Sequence, residues 1–519
     1  MKLSIFLLGL LATMIAGSSC KKFLEKKPSF LVPDNYYSNE TDVNAALAGA
    51  YDILSQESMW GAQIPIRHNA STDESFFSYT SFTSGPFRYN YDASDTYVGT
   101  LWKNLYTGIE RANTLLANLD KAEMDITRKG AVRGEALFLR AFYYFTLVQY
   151  YGDVPLKLEP STSVNNVDIA RTPSKEVYAQ VIADMKEAET LVKTATQIGS
   201  SGHVSKSTVR GILARVYLTM AGAPLHDTEK FKDAREWALK VKESGEHMLN
   251  PDYTKIFINE SADVEDVKEC IWEAECFGTN NDAQREGGRI GNENGVLCRA
   301  TNFDVIGYAY GFNSTTWKLY YLYGPTDVRR DWAIANYSLN ADGVKTTLAA
   351  NNIYGRNVAK WRREYEKLLP KNKNYTPTNF PMLRYADVLL MLAEAENEVT
   401  GATPLAHEAL NLVRKRAGLL DTIIASQDGF RDEIRNERAR ELCFEGLRKP
   451  DLIRWGIFVE TMHDAADEIK ARQPTTGTNA GAYTYAAQNA ANVNERHLLY
   501  PIPLNEMSLN KKMVQNPYW

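Results

Sequence analysis

Apolar residues recur at helical spacing in about eight segments of the chain, and these segments fall into pairs. A helix with one apolar stripe must bury it against a neighbour, so paired segments restrict the chain to packed helical hairpins. Residues 42–58, with Val43, Ala46, Leu47, Ala50, Tyr51 and Leu54 on one face, pair across a long loop with residues 96–119, which carry Trp102, Leu105, Ile109, Ala112, Leu115 and Leu116. The second pair is 127–150 with 174–192, the third 207–221 with 230–245, and the fourth 382–399 with 403–417. In the third, small residues at 214, 221, 234 and 238 sit among Tyr217, Phe231 and Trp237, close to the tetratricopeptide arrangement. The predicted fold class is all-α, mainly helical: four tetratricopeptide-like helix hairpins decorated by long loops, with minor β-strand content. Hairpins side by side share a core and leave a concave or flanking surface for partners. The repeats are degenerate and interrupted, which argues against a free-standing superhelix.

Two irregular stretches, 60–97 and 277–380, are rich in aromatics, and loops of such length in a compact protein are usually functional. Within the second, residues 286–295 (EGGRIGNENG) match neither a dinucleotide fingerprint nor a P-loop, because strand, spacing and lysine are all wrong; they read as a flexible loop. Residues 270–276 (CIWEAEC) alternate as on a strand with one buried face. Six residues of strand would hold Cys270 and Cys276 about 20 Å apart, beyond disulfide reach, so both read as core residues. Cys298 and Cys443 are left as candidates for pairing, and four cysteines after position 20 are too few for a disulfide scaffold.

The N-terminus carries Lys2, an apolar run from Leu3 to Ile15, and small residues 16–19 before Cys20. The run is shorter than the roughly 20 residues of a membrane-spanning helix and reads as a cleaved export signal. Cys20 after small residues looks like a lipobox cysteine, the acylated first residue of the mature protein; Gly17 replaces the usual leucine, and Lys21-Lys22 stand where many surface lipoproteins are acidic. The chain thus divides into a lipoprotein signal peptide (1–19), a lipidated tether (20–33) and two parts of one compact unit, 34–250 and 251–519. A net charge of -5, from 59 basic and 64 acidic residues, offers no field to hold a phosphate backbone and argues against nucleic acid as a partner.

Several blocks, in order, resemble the SusD/RagB family. They are residues 132–156 (VRGEALFLRAFYYFTLVQYYGDVPL), 383–398 (LRYADVLLMLAEAENE) with 413–418 (VRKRAG), 434–456 (IRNERARELCFEGLRKPDLIRWG), and 499–506 (LYPIPLNE) with the terminal QNPYW. Leu447 and Lys449-Pro450 are local departures from the third block. The resemblance implies a non-catalytic, cell-surface lipoprotein of the outer membrane. Such a protein captures glycan and acts as a lid on a SusC-like TonB-dependent barrel, with peptide cargo or a protein scaffold as alternatives. It implies no cofactor.

Glu437, Glu441 and Glu445 lie at four-residue spacing among Arg438, Arg440, Arg448 and Arg454, and paired carboxylates invite a glycosidase reading. Three carboxylates on one helical stripe amid arginines are instead expected to form an ion-pair network. No HExxH, GxSxG or histidine cluster is present. Sugar binding asks for aromatic faces to stack on pyranose C–H surfaces, with polar groups for the hydroxyls. The first loop supplies Asp73, Glu74, Phe76, Phe77, Tyr79, Phe87, Arg88, Tyr89, Tyr91 and Tyr97; the second supplies Tyr308, Tyr310, Phe312, Trp317, Tyr320, Tyr321 and Tyr323. Tyr89 and Tyr91 are expected to share a strand-like face beside Arg88. Asp73 and Trp317 fall where the resembling family places ligand contacts. The expected ligand-binding residues are therefore Asp73, Arg88, Tyr89, Tyr91 and Trp317, with no catalytic or metal-binding residue.

Overall fold

The structure, a computed structural model, describes residues 36–163, 168–278, 287–472 and 480–519. The expected export signal, Cys20, the expected tether and Glu286 lie outside the described residues.

The expected helices form, each with a local reason for its start. Helix α1 (Glu40–Ser55) is capped by the Asn39 side chain, α2 (Thr96–Asn118) by Asp95 and α3 (Ile126–Tyr151) by Asp125, before α4 (Ser174–Leu191). Helix α5 (Lys206–Ala221) opens on a capping box between Ser205 and Thr208 and is followed by α6 (Lys230–Glu243) and α7 (Tyr253–Ala262). Beyond the long second loop come α8 (Trp317–Leu322), α9 (Tyr385–Thr400), and α10 (Pro404–Arg416), which has Thr403 as cap and proline in its first turn. The chain ends in α11 (Gln427–Leu442), α12 (Arg448–Arg454), α13 (Phe458–Arg472) and α14 (Ala480–Ala491).

The hairpins are α1/α2, α3/α4, α5/α6 and α9/α10, the four pairs expected from periodicity. They stack in series, α2 on α3, α4 on α5 and α6 on α9, so the fourth pair joins the array despite the long insertion before it. Helices α2 and α3 approach closely at Gly108, where a Cβ would lie 2.4 Å from the Tyr143 ring. Helix α3 is buried without interruption from Ala136 to Val148, which makes it the axis of the core.

Strand content is minor. β1 (Ser75–Phe77) pairs antiparallel with β3 (Asn313–Thr315), β2 (Cys270–Ala274) with β6 (Phe380–Arg384), and β4 (Tyr337–Leu339) with β5 (Lys345–Thr347). Three local expectations are corrected. β2 is buried on both faces, because Glu273 accepts a hydrogen bond from Ser201 Oγ (3.1 Å) instead of facing water. Residues 287–295 are not a loose loop: 290–293 form a buried helical turn held by Glu293, which pairs with Arg67 (2.7 Å) and Arg289 (3.0 Å). Cys270, Cys276, Cys298 and Cys443 are buried and form no disulfide among the described residues, so Cys298 and Cys443 do not pair.

The expected ion-pair network lies at the centre. Arg384, at the end of β6, donates to Glu269 (2.9 Å), Glu441 (3.0 Å) and Glu445 (2.7 Å). Arg329 joins Asp327 (2.7 Å), Glu437 (2.6 Å) and Glu441 (3.0 Å), while Arg416 and Lys360 reach Glu441 and Glu445 at 2.6 Å. Arg329, Arg384, Glu437 and Glu441 have no exposed side-chain surface, so every partner must come from within the protein. A second cluster flanks it. Burial alone would raise the Glu394 carboxyl, but Arg454 outweighs it and holds it at about 2; Arg438 and Arg215 do the same for Asp387, also at about 2.

Glu441→Gln leaves three guanidinium groups short of a charge partner, and a loss of about 3–5 kcal/mol is expected in urea denaturation. The flanking cluster sets the acid limit. Its carboxyls titrate lower folded than unfolded, so the unfolded chain takes up protons first. Stability is therefore expected to be present above the ordinary values of 4.5 (Glu394) and 3.8 (Asp387) and to fall as pH drops towards 2, as read from urea midpoints across that range.

Candidate ligand-binding surface

The two aromatic loops meet at β1 and β3, where Phe76 lies opposite Ser314 and Phe77 opposite Asn313. Consecutive strand residues point to opposite faces, so this short ladder sends one ring to each side. Phe77 enters a cluster with Phe87 and Phe312, around which Tyr79, Phe82, Tyr97 and Tyr310 are half-buried. Phe76 enters another with Tyr354, Ile469 and Tyr483, against which Trp317 packs.

In the first cluster a single cation organises the rings. The buried Arg67 guanidinium lies 5.1–5.7 Å from the centroids of Phe77, Phe82, Phe87, Tyr97 and Phe312, donates to the Tyr97 hydroxyl (3.1 Å) and pairs with Glu293. From Phe312 the rings step outward: Tyr79 at 4.9 Å, Tyr310 nearly parallel at 5.1 Å, and Tyr308 a further 5.1 Å beyond Tyr310. The second surface is smaller and more open. Trp317 lies 4.2 Å from Tyr321, which is 57% exposed, and the Arg472 guanidinium covers the indole at 4.1 Å. Two rows of partly exposed rings on a fixed support present flat apolar faces edged by hydroxyl and guanidinium donors.

The expected ligand-binding residues divide between support and surface. Asp73 is buried, held in a bidentate pair by Arg448 (2.8 and 2.7 Å) and contacted by Lys318 (2.9 Å). Arg88 is buried and donates to the carbonyls of Phe77, Tyr79 and Phe82 at 2.6–2.9 Å, knotting the loop. Tyr89 and Tyr91 share no strand face. Arg88 closes a short 3-10 turn and Tyr89 adopts the left-handed region at φ 50°, its hydroxyl donating to the Ser71 carbonyl. Tyr91 is buried against His497, Tyr500 and Trp519. These four residues are spent on internal contacts and offer a ligand little or no surface; of the five, Trp317 alone stands at a half-open face. Arg67 and Phe82 were not foreseen. Most of their partners, Phe77, Tyr79, Phe87 and Tyr97, lie in the same loop, which has no period to bring them together on paper; Glu293 and Phe312 come from the second loop.

Adjacent carboxyls anchor the whole arrangement to the core in different protonation states. Burial would raise Asp73, but Arg448 and Lys318 outweigh it and hold it well below the carboxylate range. Glu74 is pushed up to about 8 by burial, and it accepts from the Phe444 backbone N–H (2.8 Å). Asp73 is thus ionised and Glu74 protonated at neutral pH.

Other features are less suited to a soluble ligand. Glu437, Glu441 and Glu445 are locked in the central network by buried arginines, and of the three Glu445 alone borders the large cavity. Among the described residues, Glu260, Cys270 and Glu273 bring three potential metal-ligand atoms together, but burial raises all three, Glu273 to about 7, and Trp361 Nε1 already donates to Glu260 (2.6 Å). A cavity of about 1110 Å³ runs between α3, α5 and the C-terminal segments, lined by Phe142, Tyr150, Leu218, Lys449 and Tyr500.

Asp73→Asn is expected to cost about 3 kcal/mol, because it strands the Arg448 guanidinium. Glu74→Gln at pH 7 replaces an uncharged acceptor with another and should change stability by less than about 1 kcal/mol. Thermal and urea unfolding of the two variants side by side would check the contrast.

Comparison with known proteins agrees with this architecture. A family profile described as "SusD family" matches residues 313–519, and one described as "Starch-binding associating with outer membrane" matches residues 22–218. SusD-like protein P2 of Formosa agariphila is 28% identical over 87% of this chain and 90% of its own length. Starch-binding protein SusD of Bacteroides thetaiotaomicron is 24% identical over 74% of this chain and 72% of its own. The crystal structure of a SusD homolog from Bacteroides thetaiotaomicron superimposes with a TM-score of 0.85 at 29% identity, covering 94% of this chain and 98% of that one. Helical hairpins, central network and profile matches at both ends converge: the chain belongs to the SusD/RagB family.

Proposed function

We propose that the protein is a non-catalytic, surface-exposed lipoprotein that captures oligo- or polysaccharide and passes it to a SusC-like TonB-dependent barrel in the outer membrane. The observation that carries this reading is the pair of half-open aromatic rows on either side of β1 and β3. Stacked rings bind sugars through their C–H faces, with no bond made or broken, and exposed sugar hydroxyls are desolvated for little net gain, so affinity per site is modest. Trp317, Tyr321, Tyr79, Tyr308 and Tyr310 contact the ligand in this reading; Asp73, Arg88, Tyr89 and Tyr91 hold the loops that present them. The relatives named for starch binding and for association with the outer membrane support it. Cys20 would carry the acyl chains that keep the protein at the membrane. No described helix is long and apolar enough to cross a membrane.

A second reading, peptide cargo, draws on the mainly apolar cavity between α3 and α5. Affinity electrophoresis of the mature protein against plant, microbial and host polysaccharides separates the two. Under the glycan reading at least one polymer retards the protein, and Trp317→Ala or Tyr310→Ala weakens that retardation about tenfold while leaving the melting temperature near wild type. Retardation by no polymer would sink the glycan reading.

A further inference from the structure

Two cations stand at the outer end of the first aromatic row. Arg299 donates from Nη1 to the Tyr308 hydroxyl (2.8 Å), with its guanidinium 5.5 and 5.3 Å from the centroids of Tyr308 and Tyr310. The Lys373 ammonium lies 5.0 Å from the Tyr308 centroid. Both residues are exposed, and neither makes an ion pair among the described residues. The cations of the other surface have carboxylate partners: Lys318 shares Asp73 (2.9 Å) with Arg448, and Arg472 faces Glu468 (3.4 Å). Arg67, deeper in the first row, is neutralised by Glu293.

The backbone beneath the two free cations is clamped. Asn292 Nδ2 donates to the carbonyls of Tyr308 (2.7 Å) and Lys373 (3.0 Å), and buried Arg363 donates from Nη1 to the same two carbonyls at 2.8 and 3.0 Å. Residues 308 and 373 are thereby locked side by side, although they come from distant parts of the second loop. An arginine already fixed by a hydroxyl and two rings keeps further N–H donors in fork geometry, and a lysine nearby adds a point charge; together these match a planar carboxylate or a sulfate. A chain of net charge -5 has no general attraction for polyanions, so retention of one requires a local site.

We propose that the Tyr308–Tyr310 end of the surface selects acidic glycans, Arg299 and Lys373 receiving a carboxylate or sulfate while the tyrosine rings stack on the sugar that carries it. The proposal rests on the glycan reading above and names the ligand class for the same surface. It is tested by affinity electrophoresis of the full mature protein at physiological ionic strength in matched pairs: polygalacturonate against its methyl ester, and dextran sulfate against dextran, alongside the neutral panel. The charged member of at least one pair is expected to bind at least about tenfold more tightly than its neutral match, the gain of a charge-assisted over a neutral hydrogen bond. Preference in the first pair alone assigns the carboxylate; preference in the second alone assigns the sulfate. Arg299→Gln with Lys373→Gln should remove the preference and leave neutral-polymer binding and melting temperature unchanged. Binding confined to neutral polymers, or a preference that survives the double substitution, overturns the proposal and leaves glycan capture standing. Retardation by no polymer overturns both.

Discussion

The buried pairing of Arg384 and Arg329 with Glu441 is the constraint on which the rest of the molecule depends. Neither guanidinium reaches water, so the glutamates of α11, the end of β6 and the loop before α9 must come together for either charge to be satisfied. That requirement joins the fourth hairpin to the long second loop. It continues outward through adjoining residues: Glu445 belongs to the network, Phe444 donates its N–H to Glu74, and Arg448 clamps Asp73. Asp73 and Glu74 lead directly into β1. The position of the aromatic rows is therefore inherited from the core.

This inheritance bears on function. Long loops that order only on binding lose affinity to the entropy of ordering them. Here Arg88 ties three carbonyls of the first loop, Arg67 sits among five rings, and Arg363 with Asn292 clamps the second loop. The rings are held ready, so weak stacking contacts need not also organise their support. Repetition along a polymer then adds strength by multivalency without any single tight site.

The helical frame was legible because burial imposes a period on each helix, and a period survives without knowledge of the partner. All four hairpins and the structural role of Glu437, Glu441 and Glu445 were readable for this reason. The surface was not readable to the same depth. An aromatic in a loop has no period, and whether it faces water depends on segments hundreds of residues away: Asp73 is buried by Arg448, and Tyr91 by His497, Tyr500 and Trp519. Asp73, Arg88, Tyr89 and Tyr91 were expected as contacts because their residue types suit sugar binding; the same polar and aromatic groups suit a buried clamp equally well. Asp73 and Trp317 rest on position as well as type, and of the two only Trp317 keeps a partly open face.

The most direct measurement is a crystal structure of the mature protein with a bound oligosaccharide, compared with the free protein. Sugar rings are expected to stack on Tyr308 and Tyr310 or on Trp317 and Tyr321, with the backbone of both loops moving by less than about 1 Å. Ligand seated instead in the cavity between α3 and α5, or loops that reorganise to create the contacts, would contradict that expectation.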